Sequence, residues 1–345
     1  MKIRLNFDDI IYQLQKQGGI SKYWQELTNR IATNDLFEIN HTTSSKITRY
    51  LPVYTNADIF HSSYYRKPSS IRTINVVTVY DFLYHFGYLK NINTRVNIWQ
   101  MKSAINAADA IVCISENTKR DLFLLYPHLV NHPNIYVVSI GTYINFNKNL
   151  NLKPPGRLLE LSISKLKKSI LFVGKRIKYK NFDNALLGFY ESELAKDGFT
   201  LLCVGSSFSE TELQLLTRLD LQNNVAFIEN ASETELNYLY QNAFALVYPS
   251  LYEGFGLPPL EAMSCGCPVI ASNTSSIPEV VADAGILINP YDPHEIASSL
   301  RRLLHDETRN SYITKGFARA KLFNWDKVAQ NYVEIYKALV SDSKN

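Results

Sequence analysis

Two carboxylates and two glycines lie within nine residues of each other in the C-terminal half, at Glu253, Gly254, Gly256 and Glu261. They follow a strand-like run that ends near Tyr248. Glycine lets the backbone turn tightly and approach a ligand closely, and the two prolines that come next suit the first turn of a helix. Because a helix N-terminus attracts anions, the pattern favours a diphosphate site. An ordinary helix start with turn glycines and a glutamate that stabilises the dipole remains the alternative.

Each carboxylate of this segment is predicted to have its own task. Glu253 precedes the turn, and Glu261 is expected about one turn into the helix, where it could accept hydrogen bonds from ribose hydroxyls. The backbone amides expected to face the ligand belong to Gly254, Phe255, Gly256 and Leu257.

A second segment places four cations after the strand-like run Ser169–Val173. It begins at Gly174 and contains Lys175, Arg176, Lys178 and Lys180. An arginine can bind phosphate through two parallel hydrogen bonds, whereas a lysine acts as a point charge. Facing the glycine-rich turn, these cations would neutralise a departing diphosphate. The alternative interpretation is that this segment is an ordinary basic loop exposed to solvent.

Candidate residues in the N-terminal half give weaker signals. Asp81 follows the strand-like run Ile74–Tyr80 and could bind a sugar or acceptor hydroxyl, or cap the next helix. Gly18 and Gly19 precede a predicted helix, where they would allow close approach of a ligand or form a plain turn. His61 follows an apolar pair, and a single histidine is more often structural than catalytic.

The elements that must position these residues form two α/β halves. The first half is predicted to contain strands at 2–7, 74–80, 110–114 and 135–140, with helices from Ser21 and over 95–108. The second alternates strands at 169–173, 200–204, 225–227, 245–248, 269–271 and 285–288 with helices at 182–194, 210–219, 232–242, 258–265, 277–281 and 293–305. This alternation predicts doubly wound parallel sheets, whose ligands bind outside the carboxyl ends of the strands.

Asparagines and prolines between 145 and 168 predict a linker that contains a short helix at 157–161. We therefore predict an N-terminal Rossmann-like acceptor domain over 1–160 and a C-terminal Rossmann-like donor domain over 161–345. The final helix, at 327–339, is expected to pack back towards the first domain.

Composition and charge limit the possible classes of protein. The 345 residues are 46% hydrophobic and 20% charged, as in globular proteins, and they contain no apolar run of membrane-spanning length. No signal peptide is expected, and the four cysteines suit a reducing cytoplasm. Cys265-Gly266-Cys267 lacks the spacing of a zinc site. Residues 1–157 carry 18 Lys and Arg against 10 Asp and Glu, a net charge of +8, which suits anionic lipid or an anionic acceptor, or is only a biased solvated surface.

Together these segments resemble the retaining family-4 glycosyltransferases of GT-B architecture, in which two Rossmann-like domains face a central cleft. Residues 253–261 match the Glu-x7-Glu signature of that family. Supporting similarities lie at 17–23, 113–119, 174–181, 271–280 and 323–325.

The resemblance implies a role for each matching residue. Glu261 would hold the ribose, and Ile228 would lie near the base. The candidate catalytic residues are Glu253, Arg176, Lys180 and Asp81. The candidate donor-binding residues are Gly19, Gly174, Lys175, Ile228, Gly254, Phe255, Gly256, Leu257 and Glu261.

The implied reaction moves a hexose, with mannose as first expectation, from a GDP- or UDP-type nucleotide sugar to a glycan or lipid-linked hydroxyl in surface polysaccharide biosynthesis. It implies no metal and no cofactor. The basic residues are spread out rather than forming a stripe with aromatic side chains, so no nucleic-acid partner is expected. A cytoplasmic protein that associates peripherally with the membrane is expected. The chain has Tyr80 where the family often has histidine, and Lys175 precedes Arg176 where one arginine is common. A non-catalytic nucleotide-binding scaffold and a nucleotide-sugar epimerase are the alternatives.

Overall fold

The computed structural model describes residues 2–16, 18–143, 155–156, 158 and 166–343. These residues form two compact units. The first unit contains residues 1–141 together with 323–345, and the second contains residues 142–322. The predicted boundary at 160/161 and the predicted helix at 157–161 lie largely outside the described residues.

A six-stranded parallel sheet forms the centre of the first unit, in the order β2-β1-β3-β4-β5-β6. Its strands are β1 (Ile3–Asp8), β2 (Phe37–Thr42), β3 (Ile59–Ser62), β4 (Ile74–Val79), β5 (Ala110–Cys113) and β6 (Ile135–Val137). The helices before the second unit are α1 (Ile11–Leu14), α2 (Gly19–Ile31), α3 (Thr94–Asn106) and α4 (Glu116–Leu125). Since the chain order reverses between β1 and β3, a ligand site of this unit is expected at their carboxyl ends.

The sequence analysis did not predict two strands of this sheet, β2 and β3. The first has the sequence FEINHT, and most of it is half-buried or exposed at the edge of the sheet. The second is only four residues long and contains His61 and Ser62, both buried. Neither strand has the apolar run by which a buried parallel strand is recognised.

A buried polar network ties the last helix of the chain to the first sheet. The hydroxyls of Tyr23 and Tyr332 lie 2.6 Å apart, and Thr78 Oγ1 lies 2.9 Å from the Tyr332 hydroxyl. The ring nitrogens of His61 lie 2.7 Å from the Tyr336 hydroxyl and 2.8 Å from Thr78 Oγ1. Since both nitrogens are engaged inside the protein, His61 has a structural role in this arrangement.

The second unit has its own six-stranded parallel sheet, in the order β12-β11-β10-β7-β8-β9. Its strands are β7 (Ser169–Val173), β8 (Thr200–Val204), β9 (Val225–Ile228), β10 (Ala245–Tyr248), β11 (Val269–Ser272) and β12 (Ile286–Ile288). The sequence predicted all six to within one residue at each end, because nearly all of them are short apolar runs. The chain order reverses between β7 and β10, which places the expected ligand site at their carboxyl ends.

The described residues of the second unit contain seven helices, and the last helix of the chain belongs to the first unit. They are α5 (Phe182–Glu191), α6 (Glu210–Arg218), α7 (Glu233–Asn242), α8 (Leu257–Cys265), α9 (Ile277–Val281), α10 (Pro293–Arg302), α11 (Asp306–Ala320) and α12 (Trp325–Asp342). The prediction missed α1, α4 and α11. Only two residues of α11 are fully buried, so its apolar periodicity is weak. None of the described helices is long and apolar enough to cross a bilayer.

One predicted helix start was wrong. Helix α2 begins at Gly19 with Gly18 as its N-cap, whereas a start at Ser21 was predicted. The Ser21 hydroxyl lies inside the first turn and donates to the Gly18 carbonyl over 3.0 Å. The hydroxyl therefore satisfies a carbonyl rather than an amide of the helix start.

Acid should destabilise the first unit through His61. Burial lowers the pKa of this imidazole from 6.5 to about 3. Below pH 6.5 His61 is therefore protonated in the unfolded chain but stays neutral in the folded chain. The free energy of unfolding consequently falls as the pH drops from 6.5 towards 3. The free energy of unfolding should fall by up to ~1.4 kcal/mol for each pH unit in this range.

Urea unfolding between pH 7 and pH 4 checks this expectation. His61→Gln should show a shallower pH dependence than the parent, whereas substitution of the exposed His128 by Gln should leave the profile unchanged. If the free energy of unfolding depends on pH in the same way in the parent and in His61→Gln, His61 does not cause the loss of stability in acid.

Candidate active site

The candidate site of the second unit lies where β7 and β10 end side by side. The loop after β7 and the loop after β10 are bonded to each other. The Leu251 amide donates to the Tyr179 carbonyl over 2.7 Å, and the Asn181 side chain donates to the Pro249 carbonyl over 3.0 Å. The sheet order thus brings the two motifs that the sequence singled out, the basic loop and the glycine-rich turn, to one place.

Two side chains from these loops and one from the end of β10 form a charged cluster. The Lys180 ammonium donates to Glu253 Oε1 over 2.6 Å and to the Tyr248 hydroxyl over 2.7 Å. The Tyr248 hydroxyl donates to the same carboxylate oxygen over 2.8 Å. The side chains of Lys180 and Glu253 are only 14% and 11% exposed, so solvent screens their attraction little.

Neighbouring residues hold the glycine-rich turn in one conformation. The Glu253 amide donates to the Ser275 hydroxyl over 3.0 Å, and the Ser276 hydroxyl lies 2.9 Å from the carbonyls of Glu253 and Phe255. Gly256 caps α8 with φ +112°, and a Cβ there would lie 2.8 Å from Ile277 Cδ1. Only glycine fits this position without strain.

The start of α8 confirms that the two prolines lie in the first turn of a helix. The helix begins at Leu257, and Pro258 and Pro259 come next. Neither proline has an N–H, so Leu257 is the last residue of the turn whose amide can bind an anion. The amides that can face a ligand in this turn are therefore those of residues 254–257, the same set that the sequence analysis named.

Glu261 lies on α8 with 8% of its surface exposed. The Tyr240 hydroxyl lies 3.3 Å from its Oε2. Burial, followed by the nearby Glu261 carboxylate, raises the pKa of Tyr240 well above 10, and burial and Glu253 do the same to the pKa of Tyr248. Both phenols therefore remain protonated at neutral pH and act as hydrogen-bond donors to their carboxylates.

Arg176 has an internal partner in the structure. Its Nε donates to Glu212 Oε1 over 2.7 Å, its side chain is 2% exposed, and its guanidinium lies 4.5 Å from the Phe208 ring centroid. Burial alone would raise the pKa of Glu212, but hydrogen bonds from Arg176 and Ser209 outweigh it and lower that pKa. Its Nη1 is buried without a hydrogen-bond partner among the described residues, so contact with a phosphate would not require the loss of Glu212. The assigned role of Arg176 stays a prediction.

The other predicted donor-binding residues of this unit lie at carboxyl ends of strands. Gly174 directly follows β7 with φ +126°, and its amide donates to the Val204 carbonyl over 3.0 Å. Lys175 comes next and is exposed. Ile228 ends the edge strand β9, and its carbonyl accepts from the Gly205 amide over 3.0 Å.

The predicted residues of the first unit lie at its own carboxyl edge. Gly19 is the first residue of α2. Asp81 Oδ1 accepts from the Leu83 amide over 3.0 Å, so it caps a turn and not a helix. Tyr80 is buried, and its hydroxyl donates to the Ser63 carbonyl over 3.3 Å. In this arrangement the phenol that replaces the expected histidine is directed into the unit.

Sequence reasoning missed the contribution of two groups. Tyr248 had no assigned role, although it stood at the head of the motif. The serines Ser275 and Ser276 belonged only to a segment of resemblance, yet they hold the turn in place. The signal was present, since a strand-end tyrosine before a glutamate and a serine pair after the next strand are both visible. Their meeting depends on the pairing of β10 with β11.

The fold and this site define the class of protein. The chain has the GT-B fold, since it aligns over 99% of its length with all of the sucrose-phosphate synthase from Thermosynechococcus elongatus at a TM-score of 0.78 and 16% identity. It aligns over 98% of its length with all of Anabaena HepE, solved in complex with UDP-glucose, at a TM-score of 0.73 and 16% identity. Residues 160–319 match the family described as Glycosyl transferases group 1. This match covers 160 of the 345 residues, so just under half of the chain is similar to the group 1 glycosyltransferases.

Curated relatives match parts of the chain more closely. The O-antigen chain mannosyltransferase B of Escherichia coli is 42% identical over 127 residues, which cover 36% of this chain and 33% of that protein. The O-antigen chain mannosyltransferase RfbU of Salmonella typhimurium is 30% identical over 165 residues, covering 47% of this chain and 46% of that protein. The aligned part thus spans less than half the length of these relatives.

The Arg176–Glu212 pair should contribute to stability, which a double-mutant cycle can measure. Arg176→Met leaves the Glu212 carboxylate without its counter-ion, and we expect a loss on the order of 2 kcal/mol in the free energy of unfolding. The double variant Arg176→Met/Glu212→Gln should recover part of this loss because no unpaired charge remains.

Chemical denaturation of the parent, the two single variants and the double variant gives the coupling. Lys175→Met, an exposed neighbour, serves as control and should change stability by less than about 0.5 kcal/mol. Additive losses within error would mean that the pair does not act as a unit.

Proposed function

We propose that the protein transfers a hexosyl group from a nucleoside diphosphate sugar to a hydroxyl of a glycan or lipid-linked acceptor, with retention of anomeric configuration. The observation that carries the proposal is the Lys180–Glu253–Tyr248 cluster at the carboxyl ends of β7 and β10, beside the N-terminus of α8. A lysine charge and a helix N-terminus in one place suit a pyrophosphate.

Lys180 would neutralise the departing diphosphate. An ammonium has three N–H groups, and two of them are directed at Glu253 and Tyr248. The third can meet a phosphate oxygen, with the amides of 254–257 as further donors. The charge that develops on the leaving group is then met by groups already in place, which is the largest contribution that such a site can make.

Glu253 and Glu261 would hold the two ends of the donor. Lys180 and Tyr248 fix the Glu253 carboxylate, so it can orient the sugar hydroxyls next to the diphosphate. Glu261 would accept from the ribose hydroxyls. The acceptor attacks from the face that the diphosphate leaves, and a leaving phosphate oxygen takes its proton, so that catalysis consists mainly of positioning and charge stabilisation.

The relatives support a choice of sugar and pathway. Two of them are named O-antigen chain mannosyltransferases, so we propose mannose from GDP-mannose and a role in surface polysaccharide biosynthesis. The complex of Anabaena HepE with UDP-glucose supports a nucleotide sugar as donor. UDP is therefore the second nucleotide to test after GDP. We also propose that the reaction needs no metal and no cofactor, and that the protein acts in the cytoplasm, peripherally on the membrane.

A thermal-shift screen with GDP, UDP, ADP and dTDP identifies the base. The matching nucleotide at 100 times its Kd should stabilise the native protein by about 2.7 kcal/mol. Each nucleotide sugar is then incubated with lipid-linked acceptors, and the released nucleoside diphosphate is measured. Binding without release indicates a scaffold, and sugar interconversion without acceptor indicates an epimerase.

Lys180→Ala should lower kcat/KM at least about 100-fold, because the diphosphate loses its counter-charge in the transition state. Lys178→Ala is the matched control, since this exposed lysine lies two residues earlier in the same turn. Equal turnover for the two variants would remove Lys180 from the mechanism. The anomeric signal of the product in proton NMR reports retention or inversion.

A further inference from the structure

Arg49 is a cation that has only neutral partners. It lies in the short turn Ile47–Tyr50 and is half-buried. Its Nη2 donates to Asn97 Oδ1 over 2.7 Å and to Gln100 Oε1 over 3.2 Å, both on the inner side of α3. Among the described residues, no carboxylate forms an ion pair with it. A charge that is partly withdrawn from water without a counter-ion is unfavourable, so we expect it to serve a ligand.

The positive charge is not needed to hold the turn in place. Gln100 Nε2 donates to the Arg49 carbonyl over 3.1 Å, so the backbone of the turn is itself bonded to α3. Arg49 Nε is buried without a hydrogen-bond partner in the described part of the chain, and Nη1, which is not buried, has none there either. Most N–H groups of the guanidinium are therefore left for a ligand.

A second cation lies on the same side of α3. Lys67 Nζ donates to Ser103 Oγ over 3.3 Å, and Ser103 follows Gln100 by three residues, so it lies on the next turn of the same side of the helix. Lys67 also has no ion pair with any residue that the structure describes. Two cations without counter-ions in neighbouring positions attract an anion.

Aromatic rings fix the position of the Arg49 guanidinium. It lies 4.6 Å from the ring centroid of Tyr50 and 5.9 Å from that of Tyr64. Burial raises the pKa of Tyr64, and Tyr84 and Asp81 raise it further, whereas Arg49 lowers it. The Tyr64 phenol thus lies within electrostatic range of both Arg49 and Asp81.

This neighbourhood lies where a ligand of the first sheet is expected. Tyr64 follows β3 and Asp81 follows β4, and these two strands are parallel neighbours. Ligands of such sheets bind outside the carboxyl ends of the strands. Arg49 therefore brings a fixed positive charge to the surroundings of Asp81, the residue predicted to bind an acceptor hydroxyl.

We propose that Arg49 binds an anionic group, a phosphate or a carboxylate, that the acceptor carries near the hydroxyl to be glycosylated. A guanidinium with unused N–H groups matches the oxygens of either anion, whereas a neutral sugar has no use for the charge. The inference rests on the proposed function, because that function makes the ligand an acceptor.

Calorimetric titration of the full chain tests the anion site directly. The probes are glucose 6-phosphate, glucuronate and neutral glucose, each added with the matching nucleoside diphosphate at saturation so that the donor site is occupied, and again without nucleotide. At least one anionic sugar should bind at least about tenfold more tightly than glucose, because hydrogen bonds between a guanidinium and an anion are strong. The tighter of the two tells phosphate from carboxylate. Equal Kd values for all three sugars would overturn the proposal.

Two variants separate an anion site from a structural role. Arg49→Gln should abolish the preference for the anionic sugar. Asn97→Asp places a carboxylate where Nη2 already donates over 2.7 Å, so it should keep the fold and weaken binding of the anionic sugar at least about tenfold. If Arg49 only holds the turn, Asn97→Asp will bind the sugars like the parent, which would contradict the proposal.

The matched control is Arg72→Gln. Arg72 is exposed and lies just before β4, at the amino edge of the same sheet. This variant loses the same charge and should bind all three sugars like the parent. Loss of anion binding equal to that of Arg49→Gln would show that net charge, and not the site at Arg49, attracts the anion.

Transfer assays with anionic and neutral acceptors separate this inference from the proposed function. Arg49→Gln should raise KM for the anionic acceptor with little change in kcat, and Arg49→Lys should recover part of the loss. A parent that releases nucleoside diphosphate with acceptors but prefers no anionic sugar would refute the anion site alone. A parent that binds the anionic sugar through Arg49 but neither binds nucleotide nor releases a nucleoside diphosphate would refute the function and leave the anion site standing.

Discussion

The ion pair between Lys180 and Glu253 is the constraint on which the second unit depends. Two largely buried charges are stable only if each is paired and the pair has further hydrogen bonds, and here Tyr248 bonds to both. The strands that carry the loops must therefore end at the same level, and the loops must be held together. The contacts from Asn181 to Pro249 and from Ser276 to Glu253 meet this requirement.

In the first unit the last helix is held to the sheet by hydrogen bonds between uncharged side chains. Its network of His61, Thr78 and three tyrosines is buried between the sheet and the helices α2 and α12, which carry the tyrosines. Each polar atom of a buried network needs its partner, so only one arrangement of the last helix on this sheet satisfies all of them.

Local patterns were sufficient to predict most of the fold. The strands of the second unit are nearly all short apolar runs, and α6 and α7 begin with capping boxes built on Ser209 and Ser232. The polar strands β2 and β3 and the helix α11 were missed because their burial depends on neighbours that are distant in sequence. Arg176 shows the same limit, since its partner Glu212 lies on a helix 36 residues further along the chain.

The sequence by itself determined the α/β class, the glycine-rich turn, the basic loop, and the resemblance to the family-4 glycosyltransferases. These depend on residue type and short spacing, which the chain carries locally. The tertiary structure decided that Lys180, Tyr248 and Glu253 meet, that Arg176 has an internal partner, and that Tyr80 is directed inward. Those outcomes depend on strand order, because the pairing of β7 with β10 joins loops that lie some seventy residues apart.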